Sequence, residues 1–224
     1  MTTLTLPTTR PRQLPAWWPL VQLLAIGTMA LDHIAYWLIT GPWPDLLRLT
    51  LGRIALPMFA FLIAWHALHT ADPRRYANRI LLIALVAQLP YLALRGELLG
   101  NICFTLAAAA YLVTAYRQHD LTALATGLAL TGLTPWISYG PAALLLVMLL
   151  VLAIRHPLAW LLPLLVWPPI QYGLSIPALS AAGAVALLII LTTTPIAVPS
   201  LPRYLTRWFY PAHLWGIYAV RALG

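Results

Sequence analysis

Asp32, His33 and Arg53 stand inside long apolar stretches of a chain that otherwise carries little charge. Of its 224 residues, 62% are hydrophobic and only 8% are charged, against about a quarter charged in soluble domains. Ionisable groups at such positions are costly, and they are the first candidates for chemistry. A histidine moves protons near neutral pH, and a carboxylate and a guanidinium beside it can orient it or a substrate. Asp32 and His33 are adjacent, so on a helix they point about 100° apart and make no simple dyad. Asp32 is better placed to pair with Arg53 on a neighbouring helix, which leaves His33 as a base facing a cavity. The plainer reading is a structural ion pair, with His33 bonded to a carbonyl. Gln88, Asn101 and Thr105 complete this outer set.

A second, inner set comprises His66, His69, Thr70, Arg74, Arg75, Tyr76 and Arg79, with His213 a short way into the last apolar stretch. Arginine and histidine clustered at one mouth suit a polyphosphate ligand. They equally suit simple orientation charges. His66 and His69, with His213, are the residues that could be read as a zinc site. No HExxH motif or cysteine pair accompanies them, and no metal is expected. Cys103, among Ile102, Phe104 and Leu106, is a poor nucleophile. Ser138, Ser175 and Ser180 lack a nucleophile-elbow motif.

The elements that position these groups are apolar helices. A membrane-crossing helix needs roughly 20 apolar residues, and nine segments approach that: 17–40, 46–69, 78–95, 101–116, 121–135, 139–154, 157–171, 176–194 and 208–223. The fold expected is therefore all-α, a polytopic transmembrane helical bundle of about nine spans, range eight to ten. Residues 1–16 read as a disordered cytoplasmic tail and 17–224 as one membrane-embedded domain. The first two spans are joined by Gly41-Pro-Trp-Pro-Asp45, with His33 seven residues before the first span ends at Thr40 and Arg53 seven residues after the second begins at Leu46. At a rise of 1.5 Å per residue both lie about 10 Å below the outer boundary. The 13 basic residues are all arginine and, apart from Arg53, fall between or at the ends of apolar segments rather than on one face, which argues against a nucleic-acid-binding surface. With a cytoplasmic N-terminus, Arg10, Arg12, Arg74, Arg75, Arg79, Arg117, Arg155, Arg203 and Arg207 face inward. Arg48, Arg95 and Arg221 face outward, a strong positive-inside bias.

Several blocks, in order, resemble the TraX family of membrane proteins associated with N-terminal acetylation of F-type conjugative pilin. They are Ala30-Leu31-Asp32-His33-Ile34, Gly52-Arg53-Ile54-Ala55-Leu56-Pro57, His69-Thr70, Arg75-Tyr76 with Arg79, Gln88-Leu89-Pro90-Tyr91, Asn101-Ile102, Tyr139-Gly140 and Tyr210-Pro211-Ala212-His213. The resemblance implies a bacterial inner-membrane acetyltransferase that takes acetyl from cytoplasmic acetyl-CoA, with a pilin subunit as acceptor. On that reading His69, Arg75, Tyr76, Arg79 and His213 receive the CoA. His33 is the general base, Asp32 and Arg53 orient it and the substrate, and Gln88, Asn101 or Thr105 donate to the oxyanion. A direct transfer is expected, with an acyl-histidine relay through His213 or His69 as the variant. The rival readings are a transporter or channel for a small polar solute and a non-catalytic pilus-assembly factor.

Overall fold

Long runs of Leu, Ala, Val and Ile with few charges fold most economically as helices, because every backbone N–H and C=O is satisfied within the segment. A computed structural model describes residues 14–194, 196 and 198–223, and the regular elements there are helical apart from one bridge between Gly100 and Ile137. In chain order the helices are α1 (Trp18–Trp37), α2 (Pro42–Leu49), α3 (Gly52–His69), α4 (Pro73–Arg95) and α5 (Cys103–Gln118). There follow α6 (Leu121–Gly132), α7 (Gly140–Arg155), α8 (Trp167–Tyr172), α9 (Ile176–Thr193) and α10 (Arg203–Leu223). Residues 1–13 of the expected tail, Arg10 and Arg12 among them, lie outside the described residues.

Local chemistry sets several helix ends. Asp72 accepts from the Arg75 N–H and Asp120 from the Ala123 N–H, so α4 and α6 each begin on an aspartate cap. The Ala123 N–H, followed by Arg74, holds the Asp120 carboxyl below the usual carboxylate range. Helix α4 ends at Gly96, whose φ of 70° is the left-handed conformation that glycine adopts without strain.

The connections gather at two ends. At one, Arg117 donates to the carbonyls of Ala67 and Thr70, Arg74 pairs with Asp120, and Arg155 donates to the Tyr116 hydroxyl. At the other, Arg95 donates to the Tyr36 hydroxyl, Gly100 bridges Ile137, and Arg221 donates to the Leu94 carbonyl. Helices α3 and α5 form the middle of the bundle. The small residues Ala107, Ala108, Ala109 and Ala110 are fully buried on α5, where they let α3, α4 and α7 approach closely.

Among the described residues, four segments are long and apolar enough to cross a membrane: Trp18–Trp37, Pro42–His69, Pro73–Arg95 and Ile176–Thr193. Three expected segments differ in detail. The second begins at Pro42, and a turn at Thr50–Leu51 separates α2 from α3. The seventh, 157–171, is no continuous helix. Pro157, Pro163, Pro168 and Pro169 break it into a 3₁₀ turn, a π-turn over Leu162–Val166 and the short α8. The last starts at Arg203 instead of residue 208, which sets everything on α10 deeper than expected.

Asn101, fully buried, ties α4 to α5. Its backbone N–H and its amide both donate to Gln88 Oε1, the amide also donates to the Ala84 carbonyl, and its Oδ1 accepts from the Cys103 N–H. Asn101→Ala leaves the Ala84 carbonyl and the Cys103 N–H short of partners. It is expected to destabilise the solubilised full chain by about 2–3 kcal/mol. Unfolding of wild type and variant checks this, and an unchanged midpoint contradicts it.

Candidate functional site

Among the described residues, Asp32, on α1, is the one acidic residue inside the bundle. Asp72 and Asp120 cap helices, while Asp45 and Glu97 are exposed. Arg53 Nη2 of α3 lies 3.9 Å from Asp32 Oδ1, and both side chains are largely shielded from solvent. The pair forms because Gly52, just before Arg53, has no side chain. A Cβ there would lie 2.3 Å from Asp32 Oδ1 and 2.9 Å from its Cγ. Arg53 also donates from Nη1 to the Tyr139 hydroxyl at 3.2 Å, and its guanidinium lies 5.8 Å from the Tyr172 ring centre. Tyr139 is held at φ 67°. That conformation is strained for a bulky residue and clusters at functional sites. These contacts bring α1, α3, the α7 entrance and α8 to one point.

His33, the residue after Asp32, meets His213 of α10. His33 Nδ1 and His213 Nε2 are 2.6 Å apart, with the rings nearly parallel at 9° and centres 4.9 Å apart. His213 Nδ1 lies 2.8 Å from the Phe209 carbonyl, which can only accept, so that nitrogen carries a proton. In the neutral pair His213 Nε2 is then the acceptor and His33 Nδ1–H the donor. The lone pair of His33 is therefore on Nε2. Nothing in the local sequence suggested this partnership, because the residues are 180 positions apart.

Two cavities meet at this point. The larger, about 1690 Å³, has His66, His69, Tyr76, Arg79, Arg203 and Arg207 around one mouth, and apolar walls that include Phe59, Ile63, Ile83 and Leu106. It ends on Asp32, His33, Cys103, Tyr139 and Tyr210. The smaller, about 370 Å³, approaches from the opposite end between Tyr36, Arg48, Arg53, Tyr91, Arg95 and Tyr172. Asp32, His33, Ile102, Tyr139 and Tyr210 line both. These five residues are the partition between an arginine-rimmed channel and a shallower vestibule.

The expected site residues are distributed as follows. Asp32, Arg53 and His33 are brought together. Tyr76, Arg79 and His69 line the larger cavity near its mouth, with His69 Nδ1 2.7 Å from the Trp65 carbonyl. His66 lines it too, its ring 4.3 Å from that of Tyr76. Arg75 is exposed and is not in the cavity wall. His213, grouped by sequence with the inner mouth, lies instead against His33, because α10 begins earlier than expected. Gln88 and Asn101 bond one another and the backbone, which makes them a clamp between helices and not donors facing a substrate. Thr105 is fully buried and lines neither cavity. Arg203 and Arg207, read from sequence only as orientation charges, join the mouth. Tyr139, Tyr172 and Tyr210 join the partition and vestibule. The Tyr139-Gly140 and Tyr210-Pro211-Ala212-His213 blocks marked two of these tyrosines in the sequence, and nothing marked Tyr172.

Helices of membrane-crossing length and composition among the described residues, with a histidine held between a basic channel and a vestibule, define a class of helical proteins with an internal polar site. Within it, the chain matches the family model described as TraX protein over residues 19–221, nearly its whole length, and belongs to the TraX family. No curated protein and no solved structure matches it.

Because Gly52 and Asp32 share one space, their substitutions are coupled. Gly52→Ala is expected to lower stability by about 1–3 kcal/mol through overpacking. In an Asp32→Ala background the same change costs less than half as much. A double-mutant cycle on unfolding midpoints measures the difference, and additive effects contradict the close approach.

Proposed function

We propose that this TraX-family protein is a polytopic inner-membrane acetyltransferase, with its N-terminus cytoplasmic and residues 17–224 forming one membrane-embedded domain. It moves acetyl from cytoplasmic acetyl-CoA to the amino terminus of a pilin subunit. Family membership implies a role in conjugative pilin processing. The observation that supports the chemistry most strongly is the single cavity running from the basic mouth to His33.

The donor enters at that mouth. Arg79, Arg203 and Arg207 face its phosphates, and the aromatic and histidine side chains of Tyr76, His66 and His69 line the throat. Phe59, Ile63, Ile83 and Leu106 give the pantetheine arm an apolar wall, and the thioester arrives at the partition. The acceptor amine reaches the same partition from the vestibule. An α-amine has a pKa near 8 and must lose a proton to attack. Once neutral, its nitrogen forms the new C–N bond at the thioester carbonyl while His33 Nε2 takes one of the two remaining N–H protons, which bond formation makes acidic. The tetrahedral centre then collapses, the C–S bond breaks, and the proton passes from His33 to the departing thiolate. His213 holds His33 in the tautomer with Nε2 free. Asp32, beside it, offsets the imidazolium charge as it forms. Arg53, or the hydroxyl of Tyr139 or Tyr210, is placed to donate to the oxyanion, the role given from sequence to Gln88, Asn101 and Thr105.

A partition shared by two cavities from opposite ends would also suit a pathway for a small polar solute. Incubation of the purified full chain with labelled acetyl-CoA and a peptide amine separates the readings, since a transporter yields no acetyl-peptide. His33→Ala is expected to lower the rate at least about a hundredfold. His213→Ala lowers kcat about tenfold with KM for acetyl-CoA unchanged, and His213→Gln, which can still accept from His33 Nδ1–H, recovers part of that loss. Arg79→Gln with Arg207→Gln raises KM for acetyl-CoA with little change in kcat. No transfer by wild type contradicts the enzyme reading, and full activity in His33→Ala contradicts the base.

A further inference from the structure

Positive charge is scarce on the non-cytoplasmic side of membrane proteins, so arginines kept there usually have a local task. Arg221 has one, donating to the Leu94 carbonyl near the end of α4. The others at that end, Arg48, Arg53 and Arg95, come from α2, α3 and α4 and all line the smaller cavity. Tyr36 draws two of them together. The Arg48 guanidinium lies 4.2 Å and that of Arg95 5.7 Å from its ring centre, and Arg95 also donates to its hydroxyl at 3.0 Å.

The like charges in this vestibule are only partly offset. Asp32 answers Arg53. Arg48 pairs with Asp45 and Arg95 with Glu97, but those carboxylates are 66% and 71% exposed and line neither cavity. Exposed pairs of that kind hold little energy. The Nε atoms of Arg48, Arg53 and Arg95 are all buried without a hydrogen-bond partner, as is Gln171 Oε1 in the same wall. Three guanidiniums lining one concavity, each with an unpartnered Nε–H, suit a planar, bidentate anion.

We propose that the vestibule recognises a carboxylate on the acceptor peptide, placed within a residue or two of the amine that takes the acetyl group. This rests on the acetyl-transfer reading above, and it adds the identity of the acceptor. The spacing follows from α1. His33 and Tyr36 are three residues apart, about 4.5 Å of helix rise. An extended peptide advances about 3.3–3.6 Å per residue. An amine at His33 therefore puts the second side chain beside Tyr36, between Arg48 and Arg95.

Equilibrium dialysis of labelled Ala-Asp amide and Ala-Asn amide against the full chain in detergent micelles tests the proposal without requiring turnover. The two ligands differ by one charge at nearly constant shape. The Asp ligand is expected to bind about tenfold more tightly, and the advantage falls as salt is raised. Arg48→Gln with Arg95→Gln reduces the advantage below about twofold and leaves Ala-Asn amide binding unchanged. Equal binding of the two ligands to wild type overturns the proposal, as does no binding of either. A preference that survives in a folded double variant does the same. Free phosphoethanolamine displacing Ala-Asp amide at lower concentration than Ala-Glu amide would point to a phosphate headgroup, and would also overturn it. Selective binding without acetyl transfer would contradict only the enzyme reading. Equal transfer to both peptides would contradict only this one.

Discussion

A carboxylate inside an apolar bundle is costly unless a cation reaches it, and Asp32 is reached by Arg53 because Gly52 lets α3 come against α1. Much of the site's placement depends on this contact. It fixes the register of α1 against α3, and thereby the position of His33, one residue on from Asp32. Arg53 extends the same constraint outward through Tyr139 at the entrance of α7 and Tyr172 at the end of α8. The left-handed Tyr139 is held at the centre of these contacts. A buried ion pair contributes little net stability by itself, but removing one partner strands the other. That asymmetry makes the pair an effective lock on relative helix position.

The partition built around that lock divides the two cavities. The larger cavity is apolar along its length and cationic at its mouth, which suits a ligand with a charged head and a long neutral arm. The smaller is short, aromatic and cationic. Both stop at His33, whose proton is oriented by His213 from behind. A donor and an acceptor approaching from opposite ends would meet there with little room for bulk water, and the electrostatic contribution of Asp32, Arg53 and Tyr139 would be correspondingly greater. The Gln88–Asn101 clamp sets the junction of α4 and α5, next to Ile102 and Cys103 in the partition wall.

Much of this was legible from the chain. Apolar length and arginine placement gave the helical segments. Counting residues from a short connection after Thr40 put His33 and Arg53 at one depth, although α2 and the Thr50–Leu51 turn occupy the stretch that count took as connection and straight helix. Contacts between distant helices were not legible. His213 was assigned to the wrong end because its helix starts at Arg203, five residues earlier than hydropathy suggested. That places it about 7.5 Å further from the helix start. Its pairing with His33 depends on how α10 packs, which no local pattern encodes. The broken segment at 157–171 was readable as proline-rich but not as a π-turn, since that geometry answers to its neighbours. Gln88 and Asn101 looked like substrate donors because buried amides look alike in a sequence whether they bond a ligand or a helix end.

In the proposed mechanism, donor and acceptor meet at His33 from opposite faces of a membrane. Right-side-out vesicles containing the protein, loaded with labelled acetyl-CoA and given an impermeant peptide amine outside, test it directly. Acetylated peptide should accumulate in the external medium while acetyl-CoA stays inside, and His33→Ala vesicles should give none. Acetylation only when donor and peptide share one compartment would contradict the two-sided site.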